Sequence, residues 1–420
     1  MTEAVSATGT AVQTRTRPSK AHLLLLGALY TAQGLPFGFF TLALPVLLRD
    51  AGWSLAAIAL LQFLALPWAI KFLWAPWLDH HGARRTWLLA LQGTACALAL
   101  LMSQVPLAVG SPLLLGAVFL FNTIAASQDV ITDGLAVRLL GERERGLANA
   151  LQVGAYRLGM ILGGGFLLWM FAHSNWSTTY LCMAALLGLT SLPVLFMREP
   201  ARTPPPSDLP RGRALALSWL TRALTPGLLS LAMLIFCFRF GDQILGTLIT
   251  PFLRDQGIDK ATIALMKGTV GSATSLVGAL LGGWLTFRTG RRRALLWSGL
   301  AQSAGFGLYV AAAFGLGGLP VLWAATVVEG IVGTMATVAL FTLMMDASDP
   351  AYAGTDYTIL ASIVVAVGSL GGITGGLLAD TLGYGWTFAI GTVLSAAGCL
   401  ALVGWLDRHP VHPRVARAWR

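Results

Sequence analysis

The sequence predicts an all-α polytopic membrane protein of twelve transmembrane helices, and three observations carry that expectation. Of its 420 residues, 56% are hydrophobic and only 11% charged, where a soluble domain carries roughly 25% charged residues. Apolar runs of about 20 residues recur from Leu23 to Leu406, each long enough to cross a hydrocarbon core of about 30 Å. The basic residues between those runs fall almost entirely on one side, as in a chain threaded repeatedly through a bilayer.

The spans lie near 22–45, 54–77, 86–109, 112–138, 146–172, 177–197, 227–252, 261–286, 293–315, 320–346, 354–380 and 384–406. An even number returns both termini to the same side. Between the spans or at their ends, twenty-one arginines and lysines fall on that side, and only Arg49, Arg254 and Lys260 on the other. The positive-inside rule then makes both termini cytoplasmic. The net charge of +10 therefore reports topology, and no nucleic-acid partner is expected. The first apolar run is too long for a signal peptide and reads as an uncleaved span. Cys96, Cys182, Cys237 and Cys399 fall one per apolar segment, and the six histidines lie at span ends, loops or tails. Neither pattern has ligand spacing, so no metal or cofactor is expected.

The Pro-rich, charged stretch "REPARTPPPSDLPRGR" cannot continue a span and reads as a linker over 198–226. It separates a six-helix bundle at 21–197 from a second at 227–407, flanked by tails at 1–20 and 408–420. The halves repeat one another. "LRDAGWSLAAIAL" from Leu48 matches "LRDQGIDKATIAL" from Leu253, "DHHGARR" matches "FRTGRRR", and Gly163-Gly164 matches Gly371-Gly372, all in the same order. A parallel repeat of two six-helix bundles is the relation between the halves of a major facilitator transporter.

The loop "APWLDHHGARR" fits the facilitator pattern at Asp79, Gly82, Arg84 and Arg85, and its second copy keeps Gly290 and Arg291 but has Phe287 in the acid's place. An acid beside a span end can pair with nearby cations and latch that face shut, which makes Asp79 the candidate latch. Pro36 and Gly241 are positions where spans one and seven could break, since freed backbone groups are tolerated beside a wet cavity.

Ionisable residues inside a membrane cost several kcal/mol on lenient scales, yet Lys71, Asp129, Asp133, Arg157, Arg239, Asp242, Lys267 and Glu329 all fall within spans. Asp129 and Asp133 share one helical face, and depth along neighbouring antiparallel spans pairs Asp129 with Arg157. A paired Asp129 stays ionised, whereas desolvation of a less well paired Asp133 favours its neutral form. Such a pair can relay protons; a structural ion-pair cluster is the competing reading. Glu329 and Asp242 are further protonation candidates. Arg239 and Lys267 could meet an anionic substrate, and Tyr30, Gln33, Gln62, Trp68, Tyr156 and Gln243 could line a cavity with Arg157. Lys71, near a span end, is explained by snorkelling.

"QGLPFGFF", "LPWAIKFLWAPWLD", "SQDVITD" and "ERGLANALQVGAYRLGM" resemble the muropeptide permease group of the major facilitator superfamily, and within it the siderophore-permease branch of rhizobactin and pyochelin importers. The shared patterns fall on Gln128, Asp129 and Asp133, and on Tyr156, Arg157 and Gly159. The resemblance implies ion-driven uptake of a bulky periplasmic solute through a bacterial inner membrane by a monomer. Twelve spans in 420 residues rank a siderophore above a muropeptide as substrate, with protons as the drive. The rival class, a membrane acyl or glycosyl transferase, has its best case in Asp346, Asp349 and Asp356.

Overall fold

The computed structural model describes residues 20–44, 47–48, 60–105, 111–140, 144–198, 221–409 and 413–419. Among the described residues there is no strand, and nine helices are long and apolar enough to cross a membrane. In chain order, α1 is Lys20–Gly38, α2 an interrupted helix over 60–80, α3 Arg84–Gln104 and α4 Pro112–Leu139. They are followed by α5 Arg145–His173, α6 Trp176–Leu195 and α7 Pro226–Asp255. Two long stretches, Leu265–Ala313 and Pro350–Arg408, each break at a glycine with a left-handed φ, Gly290 (80°) and Gly383 (77°). Those glycines adopt a backbone that side chains oppose, and they divide the stretches into α8 (265–289), α9 (291–313), α11 (353–382) and α12 (384–408). Between them lies α10, Gly318–Ala347. With α2 counted, the twelve spans are complete. A short α13, Pro413–Trp419, follows the last span.

Local sequence explains the ends. Ser111 caps α4 by accepting from the Leu114 N–H at 3.3 Å, ahead of Pro112 in the first turn. Asn175 caps α6 in the same way through Thr178, at 2.9 Å. The anticipated breaks at Pro36 and Gly241 do not occur: α1 runs helically through Pro36 and widens to a π turn only at Phe39–Ala43. Gly241 serves instead to let α7 press against the backbone of α12 at Gly391 and Ser395.

The internal repeat is visible in packing. Gly163 on α5 lies against the backbone of Leu35 and Phe39 on α1, and Gly371 on α11 lies against Gln243 and Ile244 on α7. A Cβ at either position would overlap its neighbour, so these glycines set how closely the paired helices approach. Residues 49–59, which hold most of the repeat's first copy, together with the tail at 1–19 and most of the 198–226 linker, lie outside the described residues.

Candidate functional site

The site begins with the broken helix α2. Over Lys71–Leu73 the backbone tightens to a 3₁₀ turn, and residues three apart then eclipse one another. Trp68, Lys71 and Trp74 have that spacing, and all three reach α4. The Trp68 indole donates to Asn122 Oδ1 at 3.0 Å, Trp74 to Ser127 Oγ at 3.1 Å, and between them Lys71 Nζ pairs with Asp129 Oδ2. Lys71 is 3% exposed and Asp129 8%, and the ammonium also lies over the Trp68 ring, 5.4 Å from its centre.

This arrangement corrects two expectations. Lys71 does not snorkel, and Arg157 is not the partner of Asp129. The first rested on the nearness of Lys71 to the end of span two and the second on depth along α4 and α5; the 3₁₀ turn in α2 turns Lys71 inward, where it meets Asp129. Arg157, half-buried on α5, forms no ion pair among the described residues.

Asp133 lies one turn further along α4 and is 1% exposed. Its Oδ1 accepts from the Tyr30 hydroxyl at 2.8 Å and from Gln152 Nε2 at 3.0 Å, while Oδ2 is buried without a partner. Gln128 donates to the Leu29 carbonyl at 3.1 Å, and Gln33 to Thr132 Oγ1 at 3.2 Å. Tyr30 and Gln33, both 1% exposed, are therefore clasps between α1 and α4 rather than cavity-lining groups. Their polar atoms turn into the bundle because α4 offers the acceptors there. The side chain of Gln62 lies outside the described residues.

In the second half, the expected cations already have anions. Arg239 Nη1 lies 2.7 Å from Asp242 Oδ2 and 3.4 Å from Thr337 Oγ1, and Gln302 donates to Asp242 at 3.2 Å. Lys267, on a π turn spanning Ala264–Val270, sits 3.0 Å from Glu329. Arg239 and Lys267 are thus balanced locally, which leaves Arg157 as the better placed group for an anion. Beside it, Tyr156 forms an aromatic cluster with Phe37 and Trp68, with ring centres 5.8 to 6.3 Å apart. Gln243 packs its side chain onto Gly371.

The two halves meet through polar contacts gathered at the Arg-rich face. Asp79, at the end of α2, accepts from Arg138 Nη2 at 3.0 Å and from the Thr355 N–H at 3.1 Å. Arg138 in turn donates to the carbonyl of Pro350 at 2.6 Å. Alongside, Asp346 on α10 receives Arg145 from α5 at 2.8 Å and Arg291 at 2.7 Å. Asn149 donates to Thr342 Oγ1 at 3.3 Å. Asp79, the candidate latch, therefore contacts the second half, and Arg291 belongs to the neighbouring contact at Asp346. Gly82 turns the loop with a φ of 71° and Arg84 is buried, whereas Arg85 instead binds the Leu195 carbonyl within its own half, at 2.5 Å.

The acidic group suggested for an enzyme is spoken for. Asp346 holds the link just described, Asp356 binds Arg222 at 2.6 Å, and Asp349 binds Arg414 of α13 at 3.0 Å. Sequence inspection missed Lys71, Arg138, Arg145 and Asp346 as parts of these contacts. Only the W-x-x-K-x-x-W spacing in α2 offered a readable signal.

Comparison with known proteins fits this architecture. A family model described as Major Facilitator Superfamily matches residues 26–355 and 231–420. An Escherichia coli protein named anhydromuropeptide permease is 31% identical over 408 residues, covering 92% of this chain and 79% of its own. A Rickettsia conorii protein named putative transporter AmpG 4 is 22% identical over 395 residues, covering 89% and 94%. A solved structure of the E. coli fucose:proton symporter superposes with a TM-score of 0.71 at 16% identity, covering 94% of this chain and all of that one.

These relatives overturn the ranking of siderophore above muropeptide. That ranking rested on chain length, yet the relative whose name states a muropeptide substrate, the E. coli anhydromuropeptide permease, is 31% identical over 92% of this chain. Length discriminates poorly because side chains around the path, not appended spans, contact a solute. The chain is a multi-pass membrane transporter of a small-molecule substrate rather than an enzyme. With the family model matched through both halves and a relative 31% identical across 92% of its length, the chain belongs to the Major Facilitator Superfamily.

Proposed function

We propose that this chain is a proton-driven permease that takes up an anhydromuropeptide across a bacterial inner membrane by alternating access. The observation that carries the drive is the buried Lys71–Asp129 pair one turn from Asp133, whose second oxygen has no partner. A lysine that neutralises one of two neighbouring carboxylates leaves the other to bind and release a proton. The relatives named anhydromuropeptide permease support the substrate class. Half-buried rings of Phe37, Trp68 and Tyr156 suit the apolar face of a sugar, and the Arg157 fork suits a peptide carboxylate.

In this reading the six-helix halves, 21–197 and 227–407, rock about that site as a monomer, joined by the 198–226 linker. The termini and the Arg-rich face are cytoplasmic, so the sealed contacts at Asp79 and Asp346 belong to the state that loads from the periplasm.

The test is uptake of a radiolabelled anhydromuropeptide into proteoliposomes under an inward proton gradient. Accumulation several-fold above protein-free vesicles, abolished by a protonophore, is expected. Accumulation that survives the protonophore would remove the proton drive, and no uptake at any gradient would remove the substrate class.

A further inference from the structure

One short segment of the second half, 348–356 between α10 and α11, receives the first half at Asp79 and Arg138. Its Pro350 and Ala351 carbonyls accept from Arg138 of α4 at 2.6 and 3.3 Å. The N–H and hydroxyl of Thr355 donate to Asp79 at 3.1 and 3.3 Å, and the Tyr352 ring lies 5.1 Å from that of His80. Connecting segments are the more mobile parts of a fold, so something must hold these groups in register. Two arginines from elsewhere in the chain do so.

Arg222, at the end of the linker, forks onto Asp356 at 2.6 and 2.9 Å, and its guanidinium lies 3.9 Å from the centre of the Tyr352 ring. Asp356 is 1% exposed and also accepts from the Asp349 N–H at 2.9 Å. Asp349 caps the 3₁₀ turn Pro350–Tyr352, its Oδ1 accepting from the Ala351 N–H at 2.9 Å. That same oxygen takes Arg414 of α13 at 3.0 Å, and Arg414 reaches the Ser348 carbonyl at 3.5 Å. α13 is itself anchored by the buried Val415 and by Trp419 on Asp407. Among the described residues, the side-chain hydrogen bonds and ion pairs of both arginines all go to 348–356.

We propose that Arg222 and Arg414 are positioning residues for the seal, through which the linker and the C-terminal helix set how readily the Arg-rich face opens. Neither bonds to the first half. Held between them, 348–356 keeps two carbonyls and an N–H where Arg138 and Asp79 need them, so closing the face does not have to order the segment again. The two contributions differ in strength. The Arg222 fork meets a buried carboxylate, where bidentate, charge-assisted hydrogen bonds are strong. Arg414 and Asp349 are 36% and 33% exposed, so water screens their pair. The inference rests on the alternating-access part of the reading above, and on neither its substrate nor its protons.

The test is the rate at which a water-soluble maleimide modifies Thr342→Cys, at the seam beside Asn149, in the full chain carrying Cys237→Ser, in nanodiscs without substrate. Relative to that parent, Arg222→Gln should raise the rate roughly tenfold or more, as befits lost hydrogen bonds to a charged group. Arg414→Gln should raise it about two- to fivefold, the range of a partly exposed ion pair. Arg222→Lys, which keeps the charge but not the fork, should fall between Arg222→Gln and the parent. Thermal melting separates positioning from plain stability: Arg414→Gln should move the midpoint by no more than about two degrees. Acceleration accompanied by a fall of many degrees in that variant marks general loosening and rejects its positioning role. An unchanged rate in either glutamine variant, with Asp346→Asn still accelerating, overturns the role of that arginine and spares alternating access. No acceleration in any variant, Asp346→Asn included, overturns both. Should Arg222→Gln fail to fold, Arg414→Gln and Asp349→Asn decide, and an unchanged rate in both rejects the proposal.

Discussion

Lys71 carries the main lesson at the scale of single residues. Its ammonium is held among Trp68, Trp74 and Asp129, all inside the bundle, so replacing it leaves a buried carboxylate without a counter-ion. Breaking such a pair from one side costs roughly 3–5 kcal/mol. Lys71→Ala should therefore lower the thermal midpoint in detergent by many degrees. Lys71→Gln together with Asp129→Asn should recover most of it, because no charge then remains to be desolvated. Asp129→Asn alone leaves the buried ammonium unpaired, so it should lower the thermal midpoint as well as abolish concentrative uptake; transport at wild-type level would count against a coupling role. Depth along an ideal helix pointed to Arg157 as the partner of Asp129. The arithmetic was sound for α4 and α5, but it could not anticipate a 3₁₀ turn in α2 that brings a closer cation.

Helix packing operates through small residues. Gly163 touches the α1 backbone, whereas Gly165, two residues on, has open space where a Cβ would go. Gly163→Ala should separate α1 from α5 and destabilise the chain by at least the roughly 1–3 kcal/mol typical of overpacking. Gly165→Ala should be neutral or stabilising by about 0.4–1 kcal/mol, because it removes freedom only from the unfolded chain. Thermal unfolding of the two variants side by side checks the contrast. The correspondence of Gly163 with Gly371 was readable in the repeat before any coordinates. Which of the neighbouring glycines bears the contact was not, because that depends on helix rotation. Among the terminal elements, α13 folds back so that Arg414 binds Asp349 and the Trp419 indole donates to Asp407 at 2.9 Å. Thus part of what reads as a free tail is a docked helix.

For the whole molecule, the decisive feature is that the halves are joined at one face by the Arg145–Asp346 ion pair and by hydrogen bonds at Asp79 and Arg138. Asp346, 1% exposed, holds Arg145 of the first half and Arg291 of the second. Asp346→Asn would leave two buried guanidinium groups facing each other, and their repulsion favours separation of the halves. A cysteine at the fully buried Thr342, in a chain with the exposed Cys237 replaced by serine, should then react with a water-soluble maleimide several-fold faster than in the Asp346 parent. An unchanged rate would mean that this link does not hold the face shut.

Apolar run length, the one-sided arginines and the repeat between halves were enough, by themselves, to determine a twelve-span facilitator, because burial in lipid forces backbone satisfaction within each helix and so writes each span into local composition. The motifs around Gln128, Asp129, Asp133 and Asp79 fall on α4 and at the end of α2, where the structure places the buried Lys71–Asp129 pair and the contact of Asp79 with Thr355. Tertiary structure alone decided the partners: Lys71 rather than Arg157 for Asp129, Asp242 and Glu329 for the cations of the second half, and Tyr30 and Gln152 for Asp133. Ion pairing depends on helix rotation and on departures such as the turn at Lys71, and those are set by contacts between segments far apart in the chain.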